Sequence, residues 1–125
     1  MKVLAADFVC YFVKDIQKSL EFYRDILGLT VSDQFGKDFY EFNLGNVTLG
    51  IGSAEAMGET IDKPQGNATV GLAVEDVAAT VKELKEKGIE VNEDVQDFPG
   101  CQMVSIKDPS GNSIMLHHRK DGTVG

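Results

Sequence analysis

Phe8-Val9-Cys10-Tyr11-Phe12-Val13-Lys14-Asp15 opens a pattern that returns as Thr69-Val70-Gly71-Leu72-Ala73-Val74-Glu75-Asp76. In each copy a short apolar run reaches an Asp and a segment of helical periodicity follows. A Gly then closes it, at Leu27-Gly28 in the first copy and at Lys87-Gly88 in the second. An apolar run such as Phe8 to Val13 marks a strand buried on both faces. Asp at the junction suits a helix N-cap, because its carboxylate accepts backbone N–H groups of the first turn. Gly after the last periodic residue suits the left-handed position that ends a helix. A duplicated β-α unit implies two similar modules facing each other across a shared site.

Working outward, Ile16, Leu20, Tyr23 and Leu27 predict one apolar helix face, and Val77, Val81 and Leu84 predict its counterpart. Thr30 to Phe35 reads as a strand and Gly36-Lys37-Asp38 as a turn. Phe39 to Leu44 and Val47 to Ile51 read as a hairpin closed by Gly45-Asn46. In the second copy Ile89 to Val95 reads as a strand and Phe98-Pro99-Gly100 as a turn. Gln102 to Lys107 and Asn112 to His117 then form a hairpin around Asp108-Pro109-Ser110-Gly111. Both modules read βαβββ. The expected fold class is α+β, with paired βαβββ modules forming curved mixed sheets around a concave cavity. The expected organisation is one domain over residues 1–125: an N-terminal module at 1–52, a linker at 53–67, a C-terminal module at 68–118 and a loose tail at 119–125.

A chain of 125 residues is long enough for a real core. Its net charge of −8 argues against nucleic acid, which needs clustered Lys and Arg, and against anionic membrane surfaces. No apolar run approaches the roughly 18–20 residues that span a bilayer. The start, Met1 to Asp7, has the look of a signal peptide until Asp7 breaks it, so a cytoplasmic protein is expected. Cys10 and Cys101 lack CxxC spacing and are expected as free thiols.

Strand alternation sorts the side chains into two faces. Tyr40, Phe42, Leu44, Leu49 and Ile51 belong under the first helix, and Val104, Ile106, Ile114 and Leu116 under the second. The opposite, concave face then collects Phe8, Cys10, Phe12, Phe39, Glu41, Gly50, Thr69, Met103, Met115 and His117. Aromatic rings, thioethers, small residues and a few polar groups suit an organic ligand with apolar surface. Glu41, beside Gly50, suits a ligand cation or the role of a general base. His117 is the one imidazole expected on this face, since His118 should point the other way. The acids Glu93, Asp94 and Asp97 read as a solvated loop, and Asp62 and Lys63 carry no signal.

The chain resembles the vicinal oxygen chelate superfamily of glyoxalase I, extradiol dioxygenases, fosfomycin resistance enzymes and bleomycin resistance proteins. The resemblance rests on Val13-Lys14-Asp15-Ile16, Ser19-Leu20-Glu21-Phe22-Tyr23 and Leu27-Gly28-Leu29. It continues in Val74-Glu75-Asp76-Val77 and Lys107-Asp108-Pro109-Ser110-Gly111-Asn112. It implies the glyoxalase/bleomycin resistance fold, which hosts many activities. Metal-dependent members carry His or Glu ligands on four strands. The corresponding positions here are Phe8, Gly50 (or Leu49), Thr69 and Met115. Hard and borderline divalent ions need imidazole, carboxylate or thiolate donors, and a thioether suits only soft metals. The family's metal chemistry is therefore not expected to carry over. No metal ligand, catalytic residue or cofactor is assigned.

The resulting expectation is a metal-independent protein that binds a small organic molecule, antibiotic-like and cationic or planar, in the manner of the bleomycin resistance branch. Its ligand-binding residues are the ten named above, and its expected partner is a second copy of itself. The alternative is an enzyme of the same superfamily, of lyase, isomerase or dioxygenase type, either metal-free with Glu41 or His117 as base or metal-bound through ligands at a shifted register.

Overall fold

The computed structural model describes residues 2, 4, 6–56, 58 and 68–125. The signal-like start falls partly outside these residues. The expected linker at 53–67 falls largely outside them, and Asp62 and Lys63 wholly so. The chain divides into two compact units, Met1–Pro64 and Gln65–Gly125.

The first unit contains β1 (Phe8–Val13), α1 (Ile16–Leu20), a π-helical segment (Glu21–Ile26), β2 (Val31–Phe35), β3 (Phe39–Asn43) and β4 (Thr48–Ser53). Its sheet runs β1-β4-β3-β2; β1 and β4 are parallel and the other neighbours antiparallel. Asp15 caps α1, its carboxylate accepting from the Lys18 N–H at 3.0 Å. The helix does not keep the single predicted face. The Leu27 N–H donates to the carbonyl of Phe22, five residues back, at 2.9 Å. That wider winding buries Phe22 as well as Tyr23, while Ile16 and Leu27 are only half-buried. The two rings meet edge to face at 5.1 Å, and Tyr23 packs on Phe42 at 5.8 Å. Tyr11, Val13, Tyr40, Phe42, Leu49 and Ile51 complete this core. Gly28, at φ +75°, lets Leu29 N–H reach back to the Tyr23 carbonyl at 2.9 Å and end the helix.

The second unit contains β5 (Thr69–Ala73), α2 (Val77–Glu86), β6 (Gln96–Asp97), β7 (Cys101–Lys107) and β8 (Ser113–Arg119). Its sheet runs β5-β8-β7-β6, again with one parallel pair, β5 with β8. Asp76 caps α2 through the Ala79 N–H at 2.9 Å. Val77, Leu84, Val104, Ile106, Ile114 and Leu116 form the core.

The strand expected at Ile89 to Val95 is absent. Pairing begins only at Gln96, next to the Phe98–Gly100 turn, and covers two residues. Asn92, Glu93 and Asp94 are exposed and suit a pleated ladder poorly; only Val91 in this stretch is buried. At the other end, β8 runs to Arg119, into the expected tail. Lys120 also reaches Asp97 at 2.7 Å.

The Asp108–Asn112 turn is a buried polar knot. Asp108, 4% exposed, accepts from Ser110 N–H at 2.9 Å, and from Asn112 N–H and Asn112 Nδ2 at 2.8 Å. No helix among the described residues is long and apolar enough to cross a membrane.

Candidate functional site

The face of the first sheet opposite the core is built in rows that the strand register fixes. One row reads Cys10, Gly50, Glu41, Asp33 across β1, β4, β3 and β2. The next reads Phe12, Gly52, Phe39, Phe35, and a third begins Phe8, Thr48, Asn43. Five sequence-predicted residues of this unit, Phe8, Cys10, Phe12, Phe39 and Glu41, therefore share one face with Gly50 at its centre.

Gly50 is small for a reason. A Cβ built on it would lie 2.9 Å from Cζ of Phe39, so the Phe39 ring lies over the glycine. Phe39 in turn meets Phe35 edge-on at 5.9 Å. Phe8 is 62% exposed and Phe35 is also exposed, which leaves aromatic surface uncovered along both edge strands of this sheet. Burial pushes the Cys10 thiol above its ordinary pKa, and the nearby Glu41 carboxylate raises it further. Cys10 is thus a protonated, weakly reactive group that donates to the Tyr11 carbonyl at 3.8 Å.

Asp33 and Phe35 were not among the predicted site residues. Alternation within Thr30 to Phe35 gives no apolar–polar signal, and a register irregularity between Val31 and Asp33 sets which side chains join the face.

The second sheet carries the other predicted residues. One row reads Ala73, His117, Met103, Gln96, and the next Gly71, Met115, Ser105. Thr69 is exposed and spends its hydroxyl on the Ser113 carbonyl at 3.1 Å. His118 lies on the opposite face, its Nδ1 3.1 Å from the Val74 carbonyl oxygen. A groove of about 530 Å³ along α2, lined by Ala78, Val81, Lys82, Lys85 and Glu86, holds none of the predicted residues.

Two sheets with this duplicated strand order and a matching pair of Asp-capped helices are what the sequence resemblance implies. A family model described as the glyoxalase/bleomycin resistance protein/dioxygenase superfamily matches residues 5–116. The chain belongs to this superfamily. A probable lactoylglutathione lyase of Synechocystis sp. is 31% identical over 114 residues, covering 83% of this chain and 87% of that protein. Among solved structures, a lactoylglutathione lyase from Agrobacterium tumefaciens aligns with TM-score 0.75 at 20% identity, over 94% of this chain and 95% of that one. TnmS3, an antibiotic binding protein from Streptomyces sp. CB03234, aligns with TM-score 0.74 at 21% identity, over 96% and 99%. These two likenesses show the fold.

The residues at the four positions that the resemblance gives to the superfamily's divalent metal do not suit such an ion. Phe8 and Gly50 offer no donor atom on their side chains, and the Phe39 ring covers the space beside Gly50. Thr69 is engaged with Ser113, and Met115 offers a thioether. Among the described residues, no group of three or more His, Cys, Asp and Glu is placed to hold an ion.

Proposed function

We propose that this member of the superfamily binds a small planar, cationic organic molecule without a divalent metal, on the face centred on Gly50. The observation that carries the reading is the Phe39 ring lying over Gly50, where metal-dependent relatives would place a ligand. Aromatic faces at Phe8, Phe12 and Phe39 supply stacking surface, and Glu41, one strand from Gly50, supplies a negative charge for a ligand cation. The net charge of −8 favours the approach of cations. TnmS3, named as an antibiotic binding protein, supports a binding role on this fold. On the same reading the chain works as a homodimer in the cytoplasm, its edge strands covered by a second copy.

The test is calorimetric titration of the full chain with planar aromatic cations such as acridinium and phenanthridinium compounds. Saturable binding at one ligand per site is expected, weakened at least about five-fold by Glu41→Gln or Phe39→Ala, in the range of a lost charge or stacking contact. Absence of saturation across the panel, or binding indifferent to both substitutions, overturns the reading.

A second reading is favoured by the relatives named lactoylglutathione lyase: an enzyme of that kind, either metal-free with Glu41 or His117 as base, or metal-bound through ligands at other register positions. Stoichiometric zinc, nickel, manganese or iron in protein purified without chelators would decide for the metal-bound form.

A further inference from the structure

The face of the second sheet holds a cluster that the organic-ligand reading leaves unused. Met103 on β7 stands directly opposite His117 on β8. Met115 lies two residues before His117 on the same strand, hence on the same face and diagonal to Met103. Directly opposed residues have Cα atoms about 4.5–5.5 Å apart, and diagonal neighbours lie about 7–8 Å apart, within reach of long side chains. Methionine has three rotatable bonds and a polarizable sulfur, so two thioethers and an imidazole in this triangle can turn toward one point. Cys101, two residues before Met103, borders the triangle with a thiol.

All four side chains are half-buried, reachable from solvent yet partly shielded from it. Next to them β5 contributes only Gly71, opposite Met115, and Ala73, opposite His117. A Cβ built on Gly71 meets nothing within 4 Å, so the space beside Met115 is open. His118 plays no part, because it faces the other way and is engaged with the Val74 carbonyl.

Thioether sulfur is a poor partner for hard or borderline divalent ions and a good one for soft ions such as copper(I); imidazole accepts both. The donor set thus selects against the metals of the superfamily's enzymes. We propose that Met103, Met115 and His117 form a binding site for a soft monovalent metal ion, copper(I) or its redox-inert analogue silver(I). The three donor residues all belong to the second unit.

The test titrates the full chain with silver(I), and with copper(I) under anaerobic conditions in competition with bicinchoninate. One ion per chain is expected. In protein labelled at the methionine methyl carbons, silver(I) should shift the Met103 and Met115 signals. Met103→Leu and Met115→Leu keep side-chain volume. Each should weaken binding by more than about ten-fold, since losing even an outer-shell partner of a metal ligand costs about 10–100-fold. The titrations are run in a Cys10→Ser/Cys101→Ser background, so that neither free thiol competes with the thioethers for a soft ion. The proposal is overturned by the absence of saturable binding, by tighter binding of zinc(II) than of silver(I), or by full affinity in the Met103→Leu/Met115→Leu double variant. If a variant fails to fold, the methyl shifts of the wild-type protein decide alone: unmoved Met103 and Met115 signals overturn the site.

Discussion

The two sheets share one plan and carry different chemistry. Each has a parallel outer pair, two antiparallel pairs and a helix capped by Asp, Asp15 in one and Asp76 in the other, at nearly equal distances of 3.0 and 2.9 Å. The faces opposite the cores diverge. Matching points of the duplication read Cys10 and Gly71, Gly50 and Met115, Glu41 and Ser105, Phe39 and Met103. The first face is aromatic with a carboxylate beside a covered glycine; the second is soft and flexible, with thioethers around one imidazole. Helix caps and buried rows are constrained by packing and backbone hydrogen bonding, so both copies keep them. The opposite faces are free of that constraint, and there each copy has taken its own composition.

The turns that close the last hairpin of each unit should differ most in stability. The first is a two-residue Gly45-Asn46 loop, where exposed Asn43 accepts from the Gly45 N–H at 2.7 Å. The second is the Asp108 knot, buried and accepting from three donors. Asp108→Ala would leave those donors without their acceptor in a site closed to water. It should cost about 2–4 kcal/mol in urea unfolding, whereas Asn43→Ala should cost about 1 kcal/mol or less. Equal losses would mean that the knot is no more than an exposed turn.

The glycines of the two faces give the next largest contrast. Gly50→Ala puts a methyl against the Phe39 ring and should cost about 1 kcal/mol, because the ring must move off a position it now packs. Gly71→Ala enters open space and should stay within about 0.5 kcal/mol of the parent, measured by the same unfolding curves. Adding Phe39→Leu should recover most of the Gly50→Ala loss. If Gly50→Ala is as silent as Gly71→Ala, the ring does not hold its place over the glycine, and the position is open to a larger side chain.

The βαβββ plan of each unit and the register of the first hairpin were legible because each rests on a local signal. Asp15 and Asp76 mark helix starts, Gly28 and Gly88 mark ends, and Gly45-Asn46 fixes Phe42 opposite Leu49 and Tyr40 opposite Ile51. Family membership followed from the same motifs in order. Three things were not legible. The π-helical winding that buries Phe22 depends on packing with Tyr23 and Phe42, which no spacing in Glu21–Ile26 announces. The shortness of β6 reflects an acidic stretch at 93–94 whose Ile89, Val91 and Val95 mimic a strand pattern. The seating of Phe39 over Gly50 is a matter of rotamer, and alternation assigns faces but not rotamers.

The smallest expected effect concerns the row shared by Cys10, Gly50 and Glu41. Burial is the main cause of the raised Cys10 pKa and Glu41 the lesser one. Both disfavour the thiolate, so the folded value lies above the unfolded one. The contribution of this thiol to stability is therefore present below the ordinary thiol range and is lost as pH rises through the folded value. In a Cys101→Ser background, alkylation of Cys10 by iodoacetamide at pH 8 should be slow in the folded chain. It should rise modestly in Glu41→Gln and most in denaturant, where burial and charge are removed together. A larger gain from Glu41→Gln than from unfolding would reverse the order of the two causes. No gain at all would separate Glu41 electrostatically from Cys10, and the carboxylate would then no longer define the first face as the site for a cation.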